Sequence, residues 1–194
     1  RHYKKRKGRI GMKIYTKQGD EGRTTNILGD KFLKSHDIME LQGCIDEVNA
    51  AIGVLRSKLN NLPVGEKEQL DTLLKAIQYH LYETGIEISY NFTEVYITED
   101  KINFLEEQID KMTGIMPPLT SFIYYGGVEA AAYCHFIRAV VRRAEREFVR
   151  FNEKMAREKY SLSYKYINRL SDFFFTLGRY INFISGFKEE TLKK

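Results

Sequence analysis

Between Ile38 and Leu59 the chain carries an apolar stripe, Ile38, Leu41, Ile45, Val48, Ile52, Leu55 and Leu59, spaced by alternating steps of three and four residues. Residues so spaced share one face of an α-helix, whereas side chains of a strand change face at every residue. Pro63, which cannot donate to a helical ladder, bounds the segment. Leu70, Leu73, Leu74, Ile77, Leu81 and Ile88 predict a second helix. A third begins at Thr98, a good N-cap followed by Glu99 and Asp100 in the favourable first turn, and runs through Ile102, Leu105, Ile109 and Met112. Ile137, Val141, Ala144, Phe148 and Phe151 mark a fourth, and Ile167, Leu170, Phe174, Leu177, Ile181 and Ile184 a fifth. Pro117-Pro118 and Gly126-Gly127 frame Leu119 to Tyr125 as an extended connector.

Five such helices with short connections give an all-α fold: a five-helix bundle with ferritin-like, up-and-down packing and shallow crossing angles. The 194 residues, 43% of them hydrophobic, suit one domain with a sizeable core. The expected organisation is a basic disordered tail over residues 1–11, one helical-bundle domain over 12–187, and a C-terminal tail over 188–194. The basic tail also admits reading as a weak targeting leader or a start-site artefact.

Charge and composition narrow the function. Six of the 31 basic residues lie in residues 1–11, which leaves 25 against 26 acidic ones in the body. That near-neutral body lacks the basic footprint of a nucleic-acid binder. No long apolar run and no charged-then-apolar leader appear, so the expected location is cytoplasmic, without a membrane partner. Cys44 and Cys134 fall in apolar helical patterns and read as core thiols. His36, His80 and His135 show no metal-ligand spacing, which favours packing or surface roles and no protein metal site.

Two separated stretches carry chemistry. Tyr15-Thr16-Lys17-Gln18-Gly19-Asp20-Glu21-Gly22-Arg23-Thr24-Thr25 is a glycine-spaced loop with hydroxyls, able to bring N–H groups to phosphate oxygens. Arg138, Arg142 and Glu145 share a helix face within Arg142-Arg143-Ala144-Glu145-Arg146, and a guanidinium is a forked donor for the same oxygens. Together they suggest a polyphosphate site. The fifth helix has a second stripe, Asn168, Asp172, Phe175, Arg179 and Asn182; large aromatics such as Phe173 and Phe175 on a polar flank point to a ligand cleft or subunit interface.

These stretches, with Gly43-Cys44-Ile45-Asp46-Glu47-Val48-Asn49-Ala50 and Asn168-Arg169-Leu170-Ser171-Asp172, form four ordered blocks from Met12 to Phe187. In them the chain resembles the PduO-type ATP:cob(I)alamin adenosyltransferases. The resemblance implies a homotrimer with ATP and a corrinoid bound where two subunits meet, and transfer of the 5′-deoxyadenosyl group of ATP to cobalt with release of triphosphate. It implies Thr16, Lys17, Gln18, Gly19, Thr24, Thr25 and Lys34 on the N-terminal side of ATP. Arg142, Arg143, Ala144, Glu145, Arg146 and Asn168 would complete that pocket. Lys17, Lys34 and Arg142 would stabilise the leaving charge, and Mg²⁺ would be held mainly by the triphosphate.

The same resemblance assigns Asp46 and Arg138 to an ion pair across the interface near the corrinoid. Phe122 would occupy the lower corrinoid face and displace the lower axial ligand, and Phe175 of the second stripe is expected on the corrinoid or interface side. Expected partners are a flavoprotein reductase and a cobalamin-dependent mutase. Glu145, among arginines, reads as their orienting partner. This chain departs from the family pattern at Ile38, where arginine is usual, and at Tyr124-Tyr125, where Leu-Pro is common. The alternative function is a non-catalytic, nucleotide-binding helical interaction protein whose aromatic stripes would receive partner helices. A di-metal carboxylate bundle needs paired Glu-x-x-His motifs, and no glutamate here is followed by histidine three residues on.

Overall fold

The computed structural model describes residues 14–156 and 159–192, so the tail expected over residues 1–11 lies outside the described residues. A small antiparallel hairpin, β1 (Arg23–Thr25) and β2 (Lys31–Leu33), leads into five helices: α1 (Asp37–Ser57), α2 (Val64–Ser89), α3 (Glu99–Ile115), α4 (Glu129–Lys154) and α5 (Leu162–Ile184). Each apolar stripe faces the interior. On α4 and α5, Ile137, Val141, Ala144, Phe148, Ile167, Leu170, Phe174, Leu177 and Ile181 are fully buried. Burial of one large apolar side chain stabilises by about 1.5–3 kcal/mol, so the four phenylalanines Phe148, Phe151, Phe173 and Phe174 are major contributors to this core.

Contacts run α2–α1–α4–α5–α3 across the bundle. Small residues Ala130, Ala131, Cys134 and Ala144 along α4 let its neighbours approach closely, which explains its central place. Ion pairs at both ends fix α1 and α4 antiparallel: Lys154 at the end of α4 meets Asp37 at the start of α1, and Lys58 just past α1 meets Glu129. Buried Glu87 holds the segment between α2 and α3, accepting from the backbone N–H of Tyr96 and Ile97 at 2.6 Å each and from Ser163 of α5. This charge-assisted set satisfies a carboxylate that would otherwise be costly to bury.

Local signals act mostly as the sequence suggests. Ser161 caps α5 by accepting from the N–H of Tyr164 at 3.3 Å, and His36 Nδ1 accepts from Ile38 at the start of α1 at 3.2 Å. Thr98 stands at the N-cap of α3 without a side-chain cap bond. The helix expected to run to Leu59 ends at Ser57 and tightens into a 3₁₀ turn, Lys58–Asn61. Phe173 is fully buried and lies in the core, not on a polar flank; only Phe175 of the two is partly exposed. Residues 188–192 return along the connector, with Tyr124 N–H donating to Glu190 at 2.9 Å and Leu192 N–H to Phe122 at 2.8 Å.

Candidate active site

The glycine-spaced loop is not loose coil throughout. Arg23 pairs with Leu33 and Thr25 with Lys31, and the turn between them is closed by Asp30 N–H donating to Asn26 Oδ1 at 2.8 Å with Gly29 at φ +91°. Strands this short have too few apolar positions for period two to be visible, so the sequence pattern misses them. The hairpin is tied to the bundle by Ile27 N–H donating to Ser89 Oγ at 3.1 Å and by the Phe32 ring against His36 at 4.9 Å.

Around this hairpin lies a cavity of about 610 Å³, lined by Thr16, Gln18, Gly19, Glu21, Arg23, Thr24, Thr25, Lys31 and Lys34. Six of the seven N-terminal residues assigned to ATP line it; Lys17 does not, though it shapes the loop by adopting φ +61°. Gly19 lets the Lys34 ammonium fold against the loop, since a Cβ there would sit 2.8 Å from Lys34 Nζ and push that flexible side chain aside. Arg23 and Lys31 are cations that motif reasoning missed. Their signal was their separation from Lys34: Lys31 lies three residues before it, and a hairpin returns Arg23 to the same rim. None of Arg23, Lys31 and Lys34 has an ion-pair partner among the described residues, so with Glu21 the only carboxylate on the lining this surface carries a net positive charge.

On α4 the Arg142 guanidinium is exposed and, among the described residues, makes neither hydrogen bond nor ion pair; only its carbonyl is engaged, by Arg146 at 3.0 Å. Arg143 is bridged to Glu47 of α1. Glu145 accepts from Asn168 Nδ2 at 2.8 Å, so its observed partner is the α5 amide and not a neighbouring arginine. Ala144 is fully buried and packs α4 into the core, which leaves its methyl group without access to a ligand. No hydrogen bond or ion pair among the described residues links the hairpin cavity to Arg142, Arg143, Arg146 or Asn168. Nor does one join Asp46, exposed on α1, to Arg138 on α4.

The second stripe of α5 has a use at each position. Asn168 holds Glu145, and Asp172 accepts from Arg169 at 3.0 Å. Arg138 lies over Phe175, 5.5 Å from the ring centre. Arg179 is buried and donates to Glu189 at 3.0 Å and to the Pro117 carbonyl at 3.1 Å. Asn182 holds the connector glycines, accepting from Val128 N–H at 3.1 Å and donating to the Gly126 carbonyl at 3.0 Å. Thus one helix face fixes both ends of the Leu119–Tyr125 connector. Phe122 projects from that connector with 81% of its surface exposed. An exposed phenylalanine on a backbone held by cross-strand bonds is a preformed apolar contact.

Cys44, Cys134 and His135 are all buried and none is poised as a nucleophile. Burial pushes the Cys134 thiol up, and burial with the nearby charge of Arg138 pushes His135 down to about 4. Among the described residues no three of His, Cys, Asp and Glu gather as a metal group.

Fold and site together define a class: an all-α bundle that offers unpaired cations on a glycine-shaped hairpin and on an exposed helix face. The chain belongs to the cobalamin adenosyltransferase family, whose sequence model matches residues 14–181. It is 37% identical to a corrinoid adenosyltransferase of Bacillus subtilis over 90% of this chain and 89% of that one. Identity is 34% to the human corrinoid adenosyltransferase, covering 94% of this chain and 74% of the relative. A Citrobacter freundii relative is 36% identical over 87% of this chain, which spans only 49% of that longer protein. Among solved structures, a variant PduO-type ATP:corrinoid adenosyltransferase from Lactobacillus reuteri, complexed with cobalamin and ATP, superposes with a TM-score of 0.84 at 30% identity over 94% of this chain and 97% of that one.

Proposed function

We propose that this protein transfers the 5′-deoxyadenosyl group of ATP to the cobalt of cob(I)alamin or a related corrinoid. Family membership across residues 14–181 carries this reading, and the unpaired cations supply its physical basis. Co(I) is a strong nucleophile: its electron pair attacks C5′, the cobalt–carbon bond forms, and the C5′–oxygen bond breaks with its electrons leaving on triphosphate. No protein nucleophile is needed. The work left to the chain is positioning, exclusion of water and stabilisation of the leaving anion.

Thr16, Gln18, Gly19, Thr24, Thr25 and Lys34 hold the nucleotide from the hairpin, joined by Arg23 and Lys31. Lys17, Lys34 and Arg142 stabilise the leaving triphosphate, while Arg143, Arg146 and the Glu145–Asn168 pair order the helical side. The cavity brings a single carboxylate, Glu21, beside three threonines, a donor set that fits Mg²⁺ arriving on the triphosphate better than a cage of protein ligands. Mg²⁺ so held would neutralise part of the phosphate charge.

A homotrimer with sites between subunits is the arrangement the family resemblance implies, and it fits a hairpin cavity whose lining does not include Arg142; in it a second copy supplies Arg142 to the hairpin and Arg138 to Asp46. Phe122 takes the lower face of the corrinoid and displaces its lower ligand, which eases reduction of Co(II). A flavoprotein reductase as electron donor and a cobalamin-dependent mutase as recipient fit the chemistry of substrate and product. No helix among the described residues is long and apolar enough to cross a membrane, in keeping with a cytoplasmic location.

The test is direct. Protein incubated with ATP, Mg²⁺ and chemically reduced cob(I)alamin should consume the Co(I) absorbance and release triphosphate in equal amounts; saturable ATP binding with no loss of Co(I) would instead favour a non-catalytic nucleotide-binding protein.

A further inference from the structure

Where the connector meets α4, four side chains form a stack that phosphate binding does not use. The Tyr125 ring lies on the His135 imidazole, with centroids 4.9 Å apart and planes at 22°. His135 is only 5% exposed and neither ring nitrogen has a hydrogen-bond partner. It therefore serves this stack through its flat face. Its position depends on Gly178, because a Cβ there would stand 3.0 Å from the imidazole Nε2. Phe175 meets the same ring edge-on at 5.9 Å.

Arg138 closes the group. Its guanidinium carbon is 5.6 Å from the centre of Tyr125 and 5.5 Å from that of Phe175, and it donates to the Tyr125 hydroxyl at 3.4 Å. A guanidinium placed over two rings is attracted by both π faces and keeps its remaining N–H groups for another acceptor. Low proton affinity of buried His135 keeps the floor neutral, so it does not repel the cation above it. The backbone beneath is fixed as well: Gly127 has φ +110°, and any Cβ on it would overlap Asn182 at 2.0 Å. Tyr125 is 60% exposed, so its placement contributes little to the core.

We propose that Tyr125 is a positioning residue for the corrinoid half of the site: stacked on His135, it forms with Phe175 an aromatic slot that orients Arg138 toward Asp46 of a second copy and toward the corrinoid edge. This rests on the adenosyl-transfer reading given above. Tyr124-Tyr125 is where the chain departs from the Leu-Pro of its family pattern, and a proline offers no aromatic face for a cation.

The full chain and its Tyr125→Ala and Tyr125→Phe variants test it, with steady-state kinetics on cob(I)alamin and MgATP and with NMR of the Arg138 side-chain Nε–H. Loss of one ring from the slot should raise the cob(I)alamin KM about fivefold in Tyr125→Ala, while the MgATP KM and the melting temperature stay unchanged. Tyr125→Phe keeps the ring and should stay within about twofold of the parent. The ring-current shift of the Arg138 Nε–H should persist in Tyr125→Phe and shrink in Tyr125→Ala, where only Phe175 still lies under the guanidinium. An unchanged cob(I)alamin KM, an equal rise in both KM values, or a Phe variant as impaired as the Ala one would each overturn the proposal. A parent that leaves cob(I)alamin unconsumed yet shows the ring-current shift would overturn the adenosyl-transfer reading while supporting the slot.

Discussion

Where α2, α3 and α5 meet each other, α1 and the C-terminal residues, four cations are closed by carboxylates. Arg56 meets Asp71 at 2.7 Å, Lys101 meets Glu83, Arg169 reaches Glu106 at 2.9 Å, and Arg179 reaches Glu189 at 3.0 Å. Around the hairpin and on the outer face of α4, Arg23, Lys31, Lys34 and Arg142 have no such partner among the described residues. Paired charges tie one element to another and leave little field outside. Unpaired like charges repel each other, so a fold that gathers them favours an incoming anion. The first set therefore belongs to stability and the second to the substrate, and the two should separate under mutation.

The largest effect expected is on turnover. Arg142→Ala removes a forked donor from an exposed position without opening the core, and loss of a charge-assisted bond to the developing anion costs about 2–4 kcal/mol in the transition state. Cob(I)alamin consumption should fall by a factor between tens and about a thousand, with an unchanged melting temperature. If the variant unfolds as readily as it loses activity, the division between the two charge sets fails.

Phe122→Ala should show a conditional loss. Its ring is exposed and its backbone is fixed by Leu192 and Thr191, so the fold and ATP affinity should survive. Co(I) carries no lower ligand to displace. Activity with pre-reduced corrinoid should persist, while the route that starts from Co(II) and an added reductant should fail. Equal losses in the two assays would reduce Phe122 to pocket packing. An intact Co(II) route would pass the lower face to Tyr124 or Tyr125.

The paired side predicts the reverse pattern. Arg179→Ala removes a buried cation from both Glu189 and the Pro117 carbonyl, and hydrogen bonds to charged groups of this kind are worth about 1.5–3 kcal/mol. The urea midpoint should fall, with MgATP KM unchanged. A normal midpoint would mean that residues 188–192 are held without this bridge.

Legibility in the sequence follows the same physics. The helices were plain because stripes such as Ile38 to Leu55 and Ile167 to Ile181 repeat a long-range periodic constraint, and nearly every member is buried. The hairpin was hidden because Arg23–Thr25 and Lys31–Leu33 are too short to show a period. For the same reason Arg23 and Lys31 escaped the motif reading, which saw the loop but not its return. On α4, the spacing named Arg142 and Glu145 yet could not tell an exposed guanidinium from a buried methyl at Ala144, because a motif records order and burial depends on the neighbouring helices. Phe173 and Phe175, two residues apart, illustrate the limit: one is core and the other faces Arg138.

The smallest effect concerns Asp71, whose carboxyl is lowered from 3.8 to about 2, chiefly by the hydrogen bond from Arg56 and then by that from Lys75. A depressed folded value means that the unfolded chain binds the proton first, so this contribution is present above about pH 4 and is lost as pH falls through about 2. With 28% of both the Asp71 and Arg56 side chains exposed, solvent screening holds the pair to about 1 kcal/mol or less. Asp71→Asn should therefore lower the melting temperature slightly near neutral pH and leave turnover untouched. In a series of melting curves taken into acid, the gap between parent and variant should close as Asp71 is protonated. A gap that stays constant would place the loss in packing or amide geometry and remove Asp71 from the charge-paired side of the comparison.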